Sequence, residues 1–144
     1  MPRLGQARGD LEGGEALLRE AVEGTREVLG PKHPNTLTVT NNYGDLLREQ
    51  GKLDDAEPLL RDTLNLRLEQ HGPTHPDTLR SKHFYAKLLL ARGKLVEAEV
   101  LVREALEGQR EKLGPAVTRT RESAETLRAC LEAQGKDPED SALE

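Results

Sequence analysis

Residues 50–64 read QGKLDDAEPLLRDTL, and residues 92–106 read RGKLVEAEVLVREAL. Gly51 and Gly93, Ala56 and Ala98, Leu60 and Val102, and Leu64 and Leu106 all fall 42 residues apart. The same step links Gly9 to Gly51 and Gly93 to Gly135. It links Gly30-Pro31 to Gly72-Pro73 and Gly114-Pro115, and His33-Pro34 to His75-Pro76. It joins Tyr43 to Tyr85, and runs through Glu15, Glu57 and Glu99 and through Arg19, Arg61 and Arg103. A period of this length held at so many positions is the mark of a stacked-repeat architecture.

Each unit reads as two helices. The first follows GPKHPNTL (30–37) or GPTHPDTL (72–79). Pro34 and Pro76 suit the first helical position, where no amide donor is needed. Asn35 and Asp77 follow in the first turn, facing unpaired amides. Leu37, Tyr43, Leu46 and Leu47 recur within an apolar stripe at helical spacing. Gly51 then suits the left-handed turn that ends a helix. The second helix is predicted from near Leu53, with Ala56, Leu59, Leu60, Thr63 and Leu64 on one face, to just before Gly72-Pro73. Its counterpart carries Leu95, Ala98, Leu101, Val102, Ala105 and Leu106. Antiparallel helices approach closely only where side chains are small, so Gly44 is expected near Ala56, and Ala86 near Ala98. One hairpin cannot bury both faces, so its neighbours must stack.

The pattern resembles the tetratricopeptide repeat. The residues that carry it are Gly44, Leu47, Gly51, Ala56, Leu60 and Thr63, then Ala86, Leu89, Gly93, Ala98, Val102 and Ala105. The 42-residue step and the phrase LGPxHPxTL are similar to the long repeats of kinesin light chains. The resemblance implies an all-α fold, an α–α superhelix (solenoid) of stacked antiparallel helix hairpins with about seven helices. One domain over 1–144 is expected, with a partial first repeat at 1–30, repeats at 31–72 and 73–114, and a partial last repeat at 115–144. Gly14 replaces alanine in the first unit, and Val117-Thr118 and Arg121 replace His-Pro and a leucine in the last. The second helix of the last unit is expected to be no more than PEDSALE (138–144). The heptad region that joins kinesin light chains to the motor has no counterpart in the sequence, so no motor role is expected.

The composition excludes several other classes. One third of the 144 residues are charged, with both signs interspersed and a net charge of −5. That is no basic footprint for nucleic acid. No apolar run reaches the roughly 18 residues of a membrane span, and MPRLGQARGD has no apolar stretch, so it is not expected to serve as a secretory signal. Cys130 is the only cysteine, which excludes an intrachain disulfide and makes a reducing, cytoplasmic compartment the default reading. Cys130 matches Leu46 and Leu88 in phase, so it is expected in the core. His33 and His75 occupy equivalent turns and are expected to serve the helix start. His71 and His75 are four apart, but Gly72-Pro73 between them is expected to keep them from aligning, so no metal is assigned. No phosphate loop, nucleophile elbow or zinc-ligand cluster is present in the sequence. Neither an enzyme nor a cofactor is expected.

The resemblance implies a function as well. In this family the first helices line a concave groove that binds a peptide. Carried over residue by residue, the groove positions are Thr38, Asn41, Asp45 and Arg48, then Arg80, His83 and Lys87, then Glu122, Glu125 and Ala129. Asn41 matches an asparagine with which kinesin light chains hold a peptide backbone, and His83 stands in its place one repeat on. An amide donates and accepts, so it can bond a main chain of any sequence. Arg48, Arg80 and Lys87 would favour an acidic peptide. A protein-interaction module or scaffold with a protein or peptide partner is the leading expectation. The alternative is a structural piece of a longer array, self-associating through uncapped end repeats.

Overall fold

The computed structural model describes residues 4–138, with side chains from Gly13 onward, and this span forms six α-helices and no strand. They are α1 (Leu4–Leu29), α2 (Pro34–Glu49), α3 (Leu53–His71), α4 (Pro76–Ala91), α5 (Leu95–Lys112) and α6 (Thr118–Ala133). The count is one below the expected seven or so. α1 runs straight through Gly9, where the repeat pattern places a joint. A glycine inside a helix costs only about 1 kcal/mol against alanine. Gly9 is followed by Asp10, whereas Gly51, Gly93 and Gly135 are each followed by lysine. A second helix at PEDSALE lies outside the described residues from position 139 onward.

The joints between helices follow from a few residues. At the end of α2, Gly51 takes φ +79°, a left-handed conformation open to glycine at no steric cost. Its N–H donates to Arg48 O at 2.9 Å, and Lys52 N–H donates to Leu47 O at 2.9 Å. The pair satisfies two orphan carbonyls of the last turn. The same two bonds close α4 at Gly93 and Lys94. At the starts of α2 and α4 the cap is a histidine. His33 Nδ1 accepts from Asn35 N–H, and His75 Nδ1 from Asp77 N–H, each at 3.1 Å. Asn35 and Asp77 therefore receive the cap and do not supply it.

The chain groups into two compact units that divide between Thr63 and Leu64, within α3. In the first unit α1 packs on α2, and α2 packs on the start of α3. Leu37, Leu47, Ala56 and Leu60 are buried there. A Cβ at Gly44 would lie 2.7 Å from Leu60 Cδ2, with Leu59 Cβ next at 3.5 Å. The small residue thus makes room for Leu60, one turn beyond the expected Ala56. Glu15 in α1 accepts from Lys52 Nζ at 2.9 Å, tying α1 to the joint after α2. That bond lowers the Glu15 pKa and raises that of Lys52.

In the second unit α4 packs on α5, and α5 on α6. The core is Ala86, Leu89, Ala98, Val102, Leu106, Leu127, Cys130 and Leu131, with Tyr85 against its edge. Ala86 and Ala98 share this cluster, as expected for the close approach of α4 and α5. Glu99 repeats the role of Glu15. Its carboxylate accepts from Arg103 Nε (2.8 Å), Gln134 Nε2 (2.8 Å) and Lys136 Nζ (3.0 Å). Arg103 first, then Lys136 and Gln134, hold its pKa down at about 2 against burial that acts to raise it. Polar groups at the start of α4 are buried with partners. Arg67 Nη1 donates to Ser81 Oγ at 2.9 Å and to Asp77 O at 3.2 Å, and Thr78 Oγ1 donates to Arg67 O at 3.2 Å. Burial lowers the Arg67 pKa, and the nearby Asp77 charge works the other way.

Candidate functional site

Thr38, Asn41, Asp45 and Arg48 are spaced three, four and three apart on α2, which places them on one stripe of the helix. Thr38 is exposed, and its hydroxyl donates to Pro34 O at 3.1 Å. Asp45 and Arg48 are half-buried and paired, Oδ1 to Nε at 2.9 Å, with Glu49 3.8 Å from the same guanidinium. The positive charge expected from Arg48 is therefore largely offset. Asn41 is only 1% exposed, and neither Oδ1 nor Nδ2 of its buried amide has a hydrogen-bond partner among the described residues. The helical phase places Asn41 on this stripe but says nothing of depth.

On α4, Arg80, His83 and Lys87 form the equivalent stripe. Phe84 is buried beside it, with Arg80 Cζ and Lys87 Nζ each 4.6 Å from the ring centroid. Two cations over one ring gain from its quadrupole while keeping part of each side chain in water. His83 is 3% exposed, and its Nε2 lies 2.7 Å from Thr126 Oγ1 of α6. Thr126 had no sequence signal. It is joined to the stripe only by the packing of α6. Glu122 and Glu125 are exposed on α6, and Ala129 is half-buried. The second unit thus sets a basic stripe on α4 and an acidic pair on α6.

One repeat position takes three forms. At 42-residue steps it is Asn41, buried without a partner, then His83, buried and bonded, then Glu125, exposed. Cys130 is fully buried, and burial first, then the Glu99 charge, pushes its thiol up to about 11. A thiol so placed is a poor nucleophile. The turn between α3 and α4 corrects the sequence reading. His71 and His75 are not held apart by Gly72-Pro73. Their rings stack at 4.2 Å between centroids and 18° between planes.

A family model described as tetratricopeptide repeat matches residues 4–69 and again 41–111. The chain belongs to the tetratricopeptide repeat family. Its fold is similar to that of nearly identical TPR-like repeats from Podosopora anserina, named for kinesin light chain. The TM-score is 0.79 at 23% identity, over 91% of this chain and 62% of that one. A point variant of those repeats gives the same values. BtubC (BKLC) from P. vanneervenii is similar with a TM-score of 0.74 at 16% identity, over 88% of this chain and 51% of that one. The tetratricopeptide chain therefore spans less than two thirds of the length of these neighbours. At such identities the likeness speaks to fold alone. None of the curated proteins matches the sequence. Tetratricopeptide repeats are in general protein-interaction scaffolds and typically not enzymes. Among the described residues no helix is long and apolar enough to cross a membrane.

Proposed function

We propose that this tetratricopeptide chain is an interaction scaffold that takes a peptide segment on the first-helix face of a repeat, α2 in the first unit and α4 in the second. The observation that carries this is the amide of Asn41. Leaving a buried polar group unpaired costs roughly 1–3 kcal/mol, and such groups are rare in folded proteins. Asn41 leaves both ends of one amide unpaired. A peptide main chain has an N–H and a C=O to offer, and it suits that amide in both directions. On α4 the half-exposed Arg80 and Lys87 favour acidic side chains on that peptide.

Affinity purification from cells with the parent chain and with an Asn41→Ala, Arg80→Ala variant tests the reading. A partner captured by the parent and lost by the folded variant supports it. Partners captured equally by both would remove Asn41 and Arg80 from the binding surface. A second reading, self-association, is favoured by the 70% and 80% exposure of Leu17 and Val28 on α1. Sedimentation across a concentration series distinguishes it, because a monomer at the highest concentration excludes it.

A further inference from the structure

We propose that the turn between α3 and α4 binds a divalent transition-metal ion through His71, His75 and Asp77. His71 is the last residue of α3, His75 caps α4 and Asp77 sits in its first turn. One ring nitrogen of each histidine and one Asp77 carboxylate oxygen all lie within 4.8 Å of one another. His75 Nδ1 is 4.0 Å from Asp77 Oδ2. Zinc holds imidazole nitrogen and carboxylate oxygen at about 2.0–2.2 Å, so its ligand atoms sit roughly 3–3.5 Å from one another. The set must close by about 1 Å. His71 is exposed and the other two are half-exposed, so rotation of the side chains suffices. Lone pairs lie in the ring planes, and these planes are 18° apart, so ligation must splay the rings until both point at one ion. Two imidazoles and one carboxylate leave a fourth position to water.

The repeat supplies its own comparison. The turn before α2 has the same capping histidine, His33, but Leu29 and Asn35 stand where His71 and Asp77 do. The turn before α6 has Leu113, Val117 and Arg119 at the three positions. Helix dipoles favour a histidine at a helix end and an aspartate at a helix start, one at a time. They give no reason for both to meet a third ligand in a single turn. Binding also has a stated cost. A neutral imidazole has one lone pair, and that of His75 now accepts the Asp77 N–H. The ion competes for it, so loading the site opens the cap of α4.

Zn2+ titrated into the whole chain is expected to bind one ion per chain, with the Asp77 amide resonance and the His71 and His75 ring resonances moving together. Mg2+, which prefers oxygen ligands, is expected to leave them unmoved. A His71→Leu, Asp77→Asn variant copies the turn before α2 and is expected to keep its circular dichroism while losing at least roughly tenfold in Zn2+ affinity. His71→Gln serves as a second variant should that one unfold. No Zn2+ binding by the parent, or undiminished binding in a folded variant, overturns the proposal. An equal response to Mg2+ also overturns it.

Discussion

Gly44 and Gly108 show how single residues set the distance between helices. A Cβ at either would come within 2.7 Å of a buried leucine, Leu60 at Gly44 and Leu79 at Gly108. Gly44→Leu is expected to destabilise the fold by about 1–3 kcal/mol or more, because a full side chain overfills a packed site. Urea unfolding of the variant checks this, and an unchanged midpoint would show that α2 and α3 can separate there at no cost. Periodicity made Gly44 legible as a small-residue position, since it falls at the same place as Ala86. It did not reveal the neighbour. The contact is Leu60, because side chains on a helix lean toward the N-terminus and fill the turn before their own Cα. The capping role of His33 and His75 was legible only as a role at the helix start. The residues usually sought at that place are serine, threonine, aspartate and asparagine. Asn41 was placed on a face by its phase, but its depth depends on packing that no spacing encodes.

At the scale of elements, the repeated glutamate ties a second helix to the joint that follows a first helix. Glu15 meets Lys52, and Glu99 meets Gln134 and Lys136. The recurrence of Glu15 and Glu99 two 42-residue steps apart was plain in the sequence. The partner of each was not, since the lysine lies 37 residues on. Glu99 is the stronger case, with three donors on a carboxylate whose side chain is only 15% exposed. Its folded pKa of about 2 lies below the ordinary 4.5. The stabilisation is therefore present above about pH 4.5 and is lost as pH falls from there toward about 2. Glu99→Gln is expected to cost roughly 1–3 kcal/mol at neutral pH, with the gap to the parent closing as pH falls through that window. Denaturant unfolding at several pH values measures it. A gap that stays constant with pH would mean the loss is one of shape and not of charge. The joint between α3 and α4 was misjudged for a related reason. Gly72-Pro73 does end the helix, but the path of the turn brings His71 and His75 back into contact.

The two units offer a probe at the scale of the molecule, because the one cysteine lies in the core of the second. A buried thiol with a pKa pushed up to about 11 stays protonated and shielded at neutral pH. Reaction with a thiol reagent is therefore expected to be far slower than for free cysteine, and to follow the opening of residues 64–138. Full denaturation is expected to restore the ordinary rate. Labelling of the native chain at that ordinary rate would place Cys130 outside any stable core. The helical hairpins themselves were readable from the sequence, because each depends on a local pattern written more than once.

The glycines that end helices stand at 30, 51, 72, 93, 114 and 135, an even step of 21 residues. The backbone bonds that close the joints at Gly51 and Gly93 join residues no more than five apart, as from Lys52 back to Leu47. The backbone of these joints is thus closed by its own immediate surroundings, and the glutamate that reaches a joint from a distance, Glu15 to Lys52 or Glu99 to Lys136, recurs with the repeat. A copy of 42 residues spliced in at such a glycine would bring its own stops and starts and leave the existing ones intact. Length, for a chain written in this metre, is a quantity that gene duplication can change without redesigning a single turn.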